Sequence, residues 1–263
     1  MTPTPPLATK LGDWEYLDSG SGSPTLVILP GGGSTARSMF ALNAALEPDC
    51  RVVSIGLPTK VLPHEKVLQG IEVIFRTLNL TQAVVLGSSL GGMIAPAFAK
   101  RYPERVSGLI LANTGFYCGA RAKLVPAAYR AFALFPPSAF RRLVISKKTR
   151  LVKGSKDAEF WSKFYDEELS QPDAGQRVKS HFILGAQFCL ASPLNHPLPI
   201  PVQIIGAEDD RGFTDRERAF LQTLYPQATV KIFPAPTGHM SFLTRADEYT
   251  AIVRHFIESV TGS

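Results

Sequence analysis

The chain has 263 residues, 45% hydrophobic and 19% charged, with 28 Lys and Arg against 22 Asp and Glu for a net charge of +6. That composition excludes a disordered or low-complexity chain, and a domain of this length can bury about three-quarters of its unfolded surface without staples. Three scattered cysteines, Cys50, Cys118 and Cys189, make neither a disulfide framework nor a zinc cluster.

The first residues, MTPTPPLATKLGDWEY, show neither the basic nor the apolar region of a signal peptide, and no run reaches the roughly 18 apolar residues that span a bilayer. A cytoplasmic location with free thiols is the expectation. No metal-ligand or cofactor motif stands out, so no cofactor or metal is expected.

In chain order, strands are predicted at 25–30 (TLVILP), 51–57 (RVVSIGL), 83–87 (AVVLG), 106–112 (VSGLILA), 202–206 (VQIIG) and 229–233 (TVKIF). Helical periodicity fits 38–46, 64–78, 90–102, 215–225 and 241–260. Short β-branched runs alternating with longer helices predict an α/β fold, a mostly parallel sheet flanked by helices. The alternation stops between residues 115 and 199, a stretch too long for a loop and expected to fold as an inserted helical cap. The core domain is then 1–114 and 200–263. Residues 115–195 hold 13 Lys and Arg against 6 Asp and Glu, so the chain's surplus of positive charge lies in this insertion.

The strongest local signal is Gly87-Ser88-Ser89-Leu90-Gly91-Gly92, set between a buried strand and a helix. A serine hydroxyl is a poor nucleophile unless held exposed beside a base, and a tight strand-to-helix turn does the holding. Side chains two positions either side of Ser89 would collide there, which Gly87 and Gly91 avoid.

Such a serine needs a base and an orienting group arriving from other strands. His239, in Thr237-Gly238-His239-Met240, follows the last strand and is the expected base. His255 reads as a solvated helix residue. His64 and His196 read as structural or exposed, as does His181, which has the further option of facing the pocket. For the acid, Gly206-Ala207-Glu208-Asp209-Asp210 offers three carboxylates, and spacing after the strand favours Asp209, with Asp210 next and Glu208 last. A developing oxyanion needs preorganised N–H donors. Leu90, after the serine, is one candidate; Gly32, in the loop Pro30-Gly31-Gly32-Gly33-Ser34, is the other.

Taken together, the elbow, the glycine loop, the chain order Ser89, Asp209, His239 and the insertion after the fourth strand resemble the α/β-hydrolase superfamily of esterase- and lipase-like serine hydrolases. Residues 16–33 and 99–110 are similar to it in detail. The resemblance implies an α/β-hydrolase fold and roles for Ser89, His239 and Asp209 as nucleophile, base and orienting acid. Three departures stand out. Pro30 occupies the position where a histidine is usual, Ile55-Gly56-Leu57-Pro58-Thr59-Lys60 replaces the usual Asp and Arg-Gly-x-Gly segment, and Pro96 lies inside the helix after the elbow. Residues 221–243 and the short loop after RVVSIGL are similar to maspardin-like members.

The expected activity is carboxylic ester hydrolysis through an acyl-enzyme, with a small-molecule ester as substrate. The rivals are C–C bond, lactone or thioester hydrolysis by the same residues, or non-catalytic binding as in a maspardin-like protein. Seven basic residues and no acid lie in 141–156, a pattern that suits either a solvated cap helix, the favoured reading, or an anionic membrane surface. No nucleic acid partner is expected, and the chain is expected as a monomer or homodimer.

Overall fold

The computed structural model describes residues 9–152, 154–191 and 198–262. His196 and the side chains of Lys147, Lys148, Arg150 and Lys153 lie outside this description. Eight strands form one sheet: β1 Thr9–Leu11, β2 Trp14–Ser19, β3 Thr25–Leu29, β4 Arg51–Gly56, β5 Ala83–Ser88, β6 Val106–Ala112, β7 Val202–Ala207 and β8 Thr229–Phe233. The spatial order is β1-β2-β4-β3-β5-β6-β7-β8. The pairs β1–β2 and β2–β4 are antiparallel; the six strands from β3 to β8 pair in parallel.

The edge hairpin β1–β2 is absent from the predicted elements. In β2 (WEYLDS) only Leu17 is buried, so the segment shows no apolar alternation, and Gly12, at φ +60°, makes the turn. The inner strands behave oppositely. Val27 and Leu29, Val85, and Leu109 and Leu111 point into one core, while Leu26 and Ile28, Val84 and Leu86, and Ile110 point into the other. A strand buried on both faces reads as an unbroken apolar run, which is why TLVIL and AVVLG are legible.

The helices cover both faces. Helices α2 (His64–Thr77) and α3 (Leu90–Arg101) close the first core through Ile71, Phe75, Ile94 and Phe98. Helices α1 (Phe40–Leu46) and α10 (Ala246–Thr261) close the second through Phe40, Val253 and Phe256. Helix α3 runs on through Pro96, whose missing N–H leaves the Gly92 carbonyl without its ladder partner.

Between β6 and β7 the described residues contain four helices and no strand: α4 Arg121–Phe132, α5 Pro137–Val152, α6 Ala158–Ser170 and α7 Ala174–Ala191. Helix α7 packs on α4 and α5 and also on α3, while the rings of Trp161 and Phe164 of α6 pack at a tilt against Phe40 of α1. These contacts seat the four helices, the cap, over the strand ends. After β7, α8 (Asp215–Leu224) leads to β8, and the short α9 (Ser241–Thr244) precedes α10. From β3 the chain steps to β4 on one side and then to β5 on the other, so the loops after β3 and β5 part at neighbouring strand ends and leave a crevice there.

Candidate active site

Ser89 sits at that crevice with φ 52° and ψ −112°, a backbone conformation that ordinary side chains rarely adopt. Its surroundings enforce it. A Cβ on Gly87 would strike the Gly91 carbonyl, and one on Gly91 would strike the Leu29 carbonyl of β3. The turn is pinned by the Ser89 N–H donating to Ala112 O at 2.9 Å and by the Thr114 hydroxyl donating to Ser89 O at 2.7 Å. The strain of about 1–3 kcal/mol expected for such a residue is borne by this packing.

The Ser89 hydroxyl lies 3.0 Å from His239 Nε2, and the His239 Nδ1 lies 2.8 Å from Asp210 Oδ1. Asp210, not the favoured Asp209, is therefore the carboxylate at the imidazole. The turn after β7, closed by the Asp210 N–H donating to Ala207 O, sends Asp210 inward to 6% exposure and leaves Asp209 exposed. Asp209 is still employed: it accepts from the Thr237 and Gly238 N–H groups, at 3.1 and 2.7 Å, and so shapes the loop that carries His239. Burial alone would raise the Asp210 pKa, but hydrogen bonds from His239, the Gly212 N–H (2.7 Å) and Asn113 Nδ2 (3.2 Å) outweigh it and hold the carboxyl below its ordinary range. Asn113, itself left-handed at φ 46°, is fixed in turn by the Ser241 hydroxyl.

A cavity of about 130 Å³ opens at Ser89 and His239. One wall is the loop Gly31–Ser34; the others include Met39, Met240 and Phe242 of the core and Val144, Tyr165, Glu168 and Leu169 of the cap. Gly31 packs on Ser89, and a Cβ on Gly32 would lie 3.7 Å from Leu90 Cδ2, so the two candidate oxyanion residues are neighbours beside the serine. Leu90 is the first residue of α3, and its N–H has no intrahelical acceptor.

The sequence pattern of the alpha/beta hydrolase fold matches residues 63–246. The chain belongs to the α/β-hydrolase family. It is 28% identical, over 92% of its length and 89% of the relative's, to 2-hydroxy-6-oxononadienedioate/2-hydroxy-6-oxononatrienedioate hydrolase 1 of Dechloromonas aromatica. It is 25% identical to the poly(3-hydroxyalkanoate) depolymerase of Ectopseudomonas oleovorans, over 89% of this chain and 84% of the relative. Its fold is also that of a thermophilic esterase from Thermogutta terrifontis, with TM-score 0.76 and 21% identity over 94% of this chain and 93% of that one.

In this α/β hydrolase Ser89, His239 and Gly32 line one cavity, and Leu90 lies against Gly32 beside it. His255, on α10, does not line it, and His64 packs its ring edge-on to Phe188. Four polar residues at or near the site, Asn113, Glu168, Arg177 and His181, carried no signal in the sequence beyond the open option for His181. They sit at a strand end or on cap helices, and only tertiary packing brings them to the loops.

Proposed function

We propose that this α/β hydrolase cleaves carboxylic esters of small, largely neutral substrates through an acyl-enzyme. The observation that carries the proposal is the unbroken chain Asp210–His239–Ser89, at 2.8 and 3.0 Å, facing a mainly apolar cavity. As the Ser89 oxygen bonds to the carbonyl carbon, its proton passes to His239 Nε2. The negative charge of Asp210 stabilises the imidazolium, and the N–H groups of Gly32 and Leu90 receive the oxyanion. Collapse breaks the ester bond, with the His239 proton going to the leaving alcohol. A water then bonds to the acyl carbon as it gives a proton to His239; collapse breaks the bond to the Ser89 oxygen, which takes the proton back from His239, and the acid leaves. The ordered hydrogen-bond chain favours this over a non-catalytic, maspardin-like binding role.

Hydrolysis of a C–C bond by the same residues is the second reading, favoured by the name of the Dechloromonas relative. A dienedioate is a dicarboxylate, however, and among the described residues lining the cavity there is no Lys or Arg, while Glu168 adds a carboxylate. Among those described residues a dianion meets no counter-charge, whereas a neutral ester needs none.

A fluorophosphonate probe tests the nucleophile: labelling of the wild type at Ser89, lost in Ser89→Ala, is expected, and a folded wild type that resists labelling overturns the reading. Turnover of p-nitrophenyl esters against a vinylogous diketo-dicarboxylate then separates the two chemistries. Cleavage of the diketo acid with negligible ester turnover would select the C–C reading.

A further inference from the structure

We propose that Arg177 and His181 of α7 are positioning residues for the glycine loop, gripping Gly33 from both sides so that docking of the cap becomes a condition for turnover at Ser89. This inference rests on the serine-hydrolase reading above.

The loop has little to hold itself in place. Three consecutive glycines leave its backbone free, and Pro30 before them has neither an N–H nor a polar side chain. Its internal bond is the Ser34 N–H to Gly31 O turn at 3.2 Å. The cap supplies what is missing. His181, 2% exposed, accepts the Gly33 N–H at Nδ1 (2.8 Å), and Arg177, one helical turn earlier and 5% exposed, donates from Nε to Gly33 O (3.2 Å).

The two contacts act on successive peptide planes, Gly32–Gly33 and Gly33–Ser34, and thereby restrict the direction of the Gly32 N–H immediately upstream. Gly33 has φ +81°, a conformation that favours glycine, and a Cβ there would lie 3.2 Å from Val178 Cγ2 of the same helix, so α7 approaches the loop closely. The anchors are in turn anchored. His181 Nε2 faces Leu57 O at 3.4 Å, and an acceptor at Nδ1 with a donor at Nε2 describes a single neutral tautomer. Arg177 also donates to Glu168 O at 2.9 Å and to Asp173 at 3.4 Å. Glu168, buried on α6, accepts from the Thr35 hydroxyl at 2.7 Å and from Arg37 at 3.1 Å, tying the far end of the loop to the cap as well.

The test replaces His181 with Leu, which removes the acceptor, and with Asn, whose amide oxygen reaches the place of Nδ1; Arg177→Met tests the other grip. Misplacing one oxyanion donor should lower kcat on a short p-nitrophenyl ester by about 10–100-fold in His181→Leu, with KM within about threefold, and Asn should restore most of it. Arg177→Met should also lower kcat, and it carries the test if His181→Leu does not fold by near-UV circular dichroism. A folded His181→Leu or Arg177→Met with kcat within twofold of wild type, a loss confined to KM, or equal Leu and Asn variants would overturn the inference. Failure of the wild type to take a fluorophosphonate would instead overturn the serine-hydrolase reading on which it stands.

Discussion

Replacing Asp210 and Asp209 one at a time by Asn gives a sharp test of the site, because adjacent acids occupy opposite situations. Asp210 Oδ1 accepts from both His239 Nδ1 and the Gly212 N–H, at 2.8 and 2.7 Å, and its other oxygen accepts from Asn113 Nδ2 at 3.2 Å. Every one of its neighbours is a donor. An amide at this position must therefore turn its NH₂ either toward Gly212 and His239 or toward Asn113, whose own amide oxygen is already held by the Ser241 hydroxyl. The first arrangement forces His239 into the tautomer that carries hydrogen on Nε2, facing Ser89 with a proton rather than a lone pair; both remove the negative charge beside the imidazolium. The expected loss in kcat/KM is about 10³–10⁴-fold, or about 4–5 kcal/mol of transition-state stabilisation. Asp209→Asn keeps an amide oxygen for the Thr237 and Gly238 N–H groups and lies in the open, so its loss should stay below about tenfold, roughly 1.4 kcal/mol. Initial rates on a p-nitrophenyl ester, with thermal melts to confirm that both variants fold, decide the matter. Equal losses in the two, or an Asp210→Asn variant within tenfold of wild type, would refute the assignment of Asp210 as the orienting acid.

Backbone strain at Ser89 makes Ser89→Gly more stable than Ser89→Ala by about 1 kcal/mol in denaturant melts, since only glycine adopts φ 52°, ψ −112° without cost; equal melts would argue that the turn is unstrained. Burial, and then the charge of Arg177, lower the His181 pKa from 6.5 to about 4. The unfolded chain binds that proton first, so the stability tied to neutral His181 is complete above pH 6.5 and is lost as pH falls toward 4. The expected loss is about 2–3 kcal/mol by pH 4.5, read from urea midpoints, and His181→Asn should flatten it; an identical pH slope in the variant would count against the assignment. A cavity of about 130 Å³ favours short acyl chains, so p-nitrophenyl butyrate should be turned over well above the hexadecanoate, and the reverse order would require the cap to open.

The legible parts of the molecule are those in which one segment meets its requirement alone. Strands buried on both faces announce themselves as apolar runs, and the elbow does so because the Gly87 and Gly91 contacts act within a few residues of Ser89 or directly on the strand beside it. The edge hairpin β1–β2 escaped because a strand with one buried residue has no pattern to read. The choice between Asp209 and Asp210 was open for a different reason: both are acids in one turn, and the turn's direction depends on the Asp210 N–H to Ala207 bond and on where β8 delivers Thr237 and Gly238. Spacing along a chain fixes the distance from a strand end but not which way a turn points. The same limit hid Arg177 and His181, whose partners at Gly33 are 144 and 148 residues away in sequence. Their i, i+4 spacing puts them on one face of α7, but only the docked cap supplies the two sides of a single glycine for that face to hold. What the sequence leaves open at this site is thus the set of contacts that cross from cap to core, and the variants at Arg177 and His181 probe that set directly.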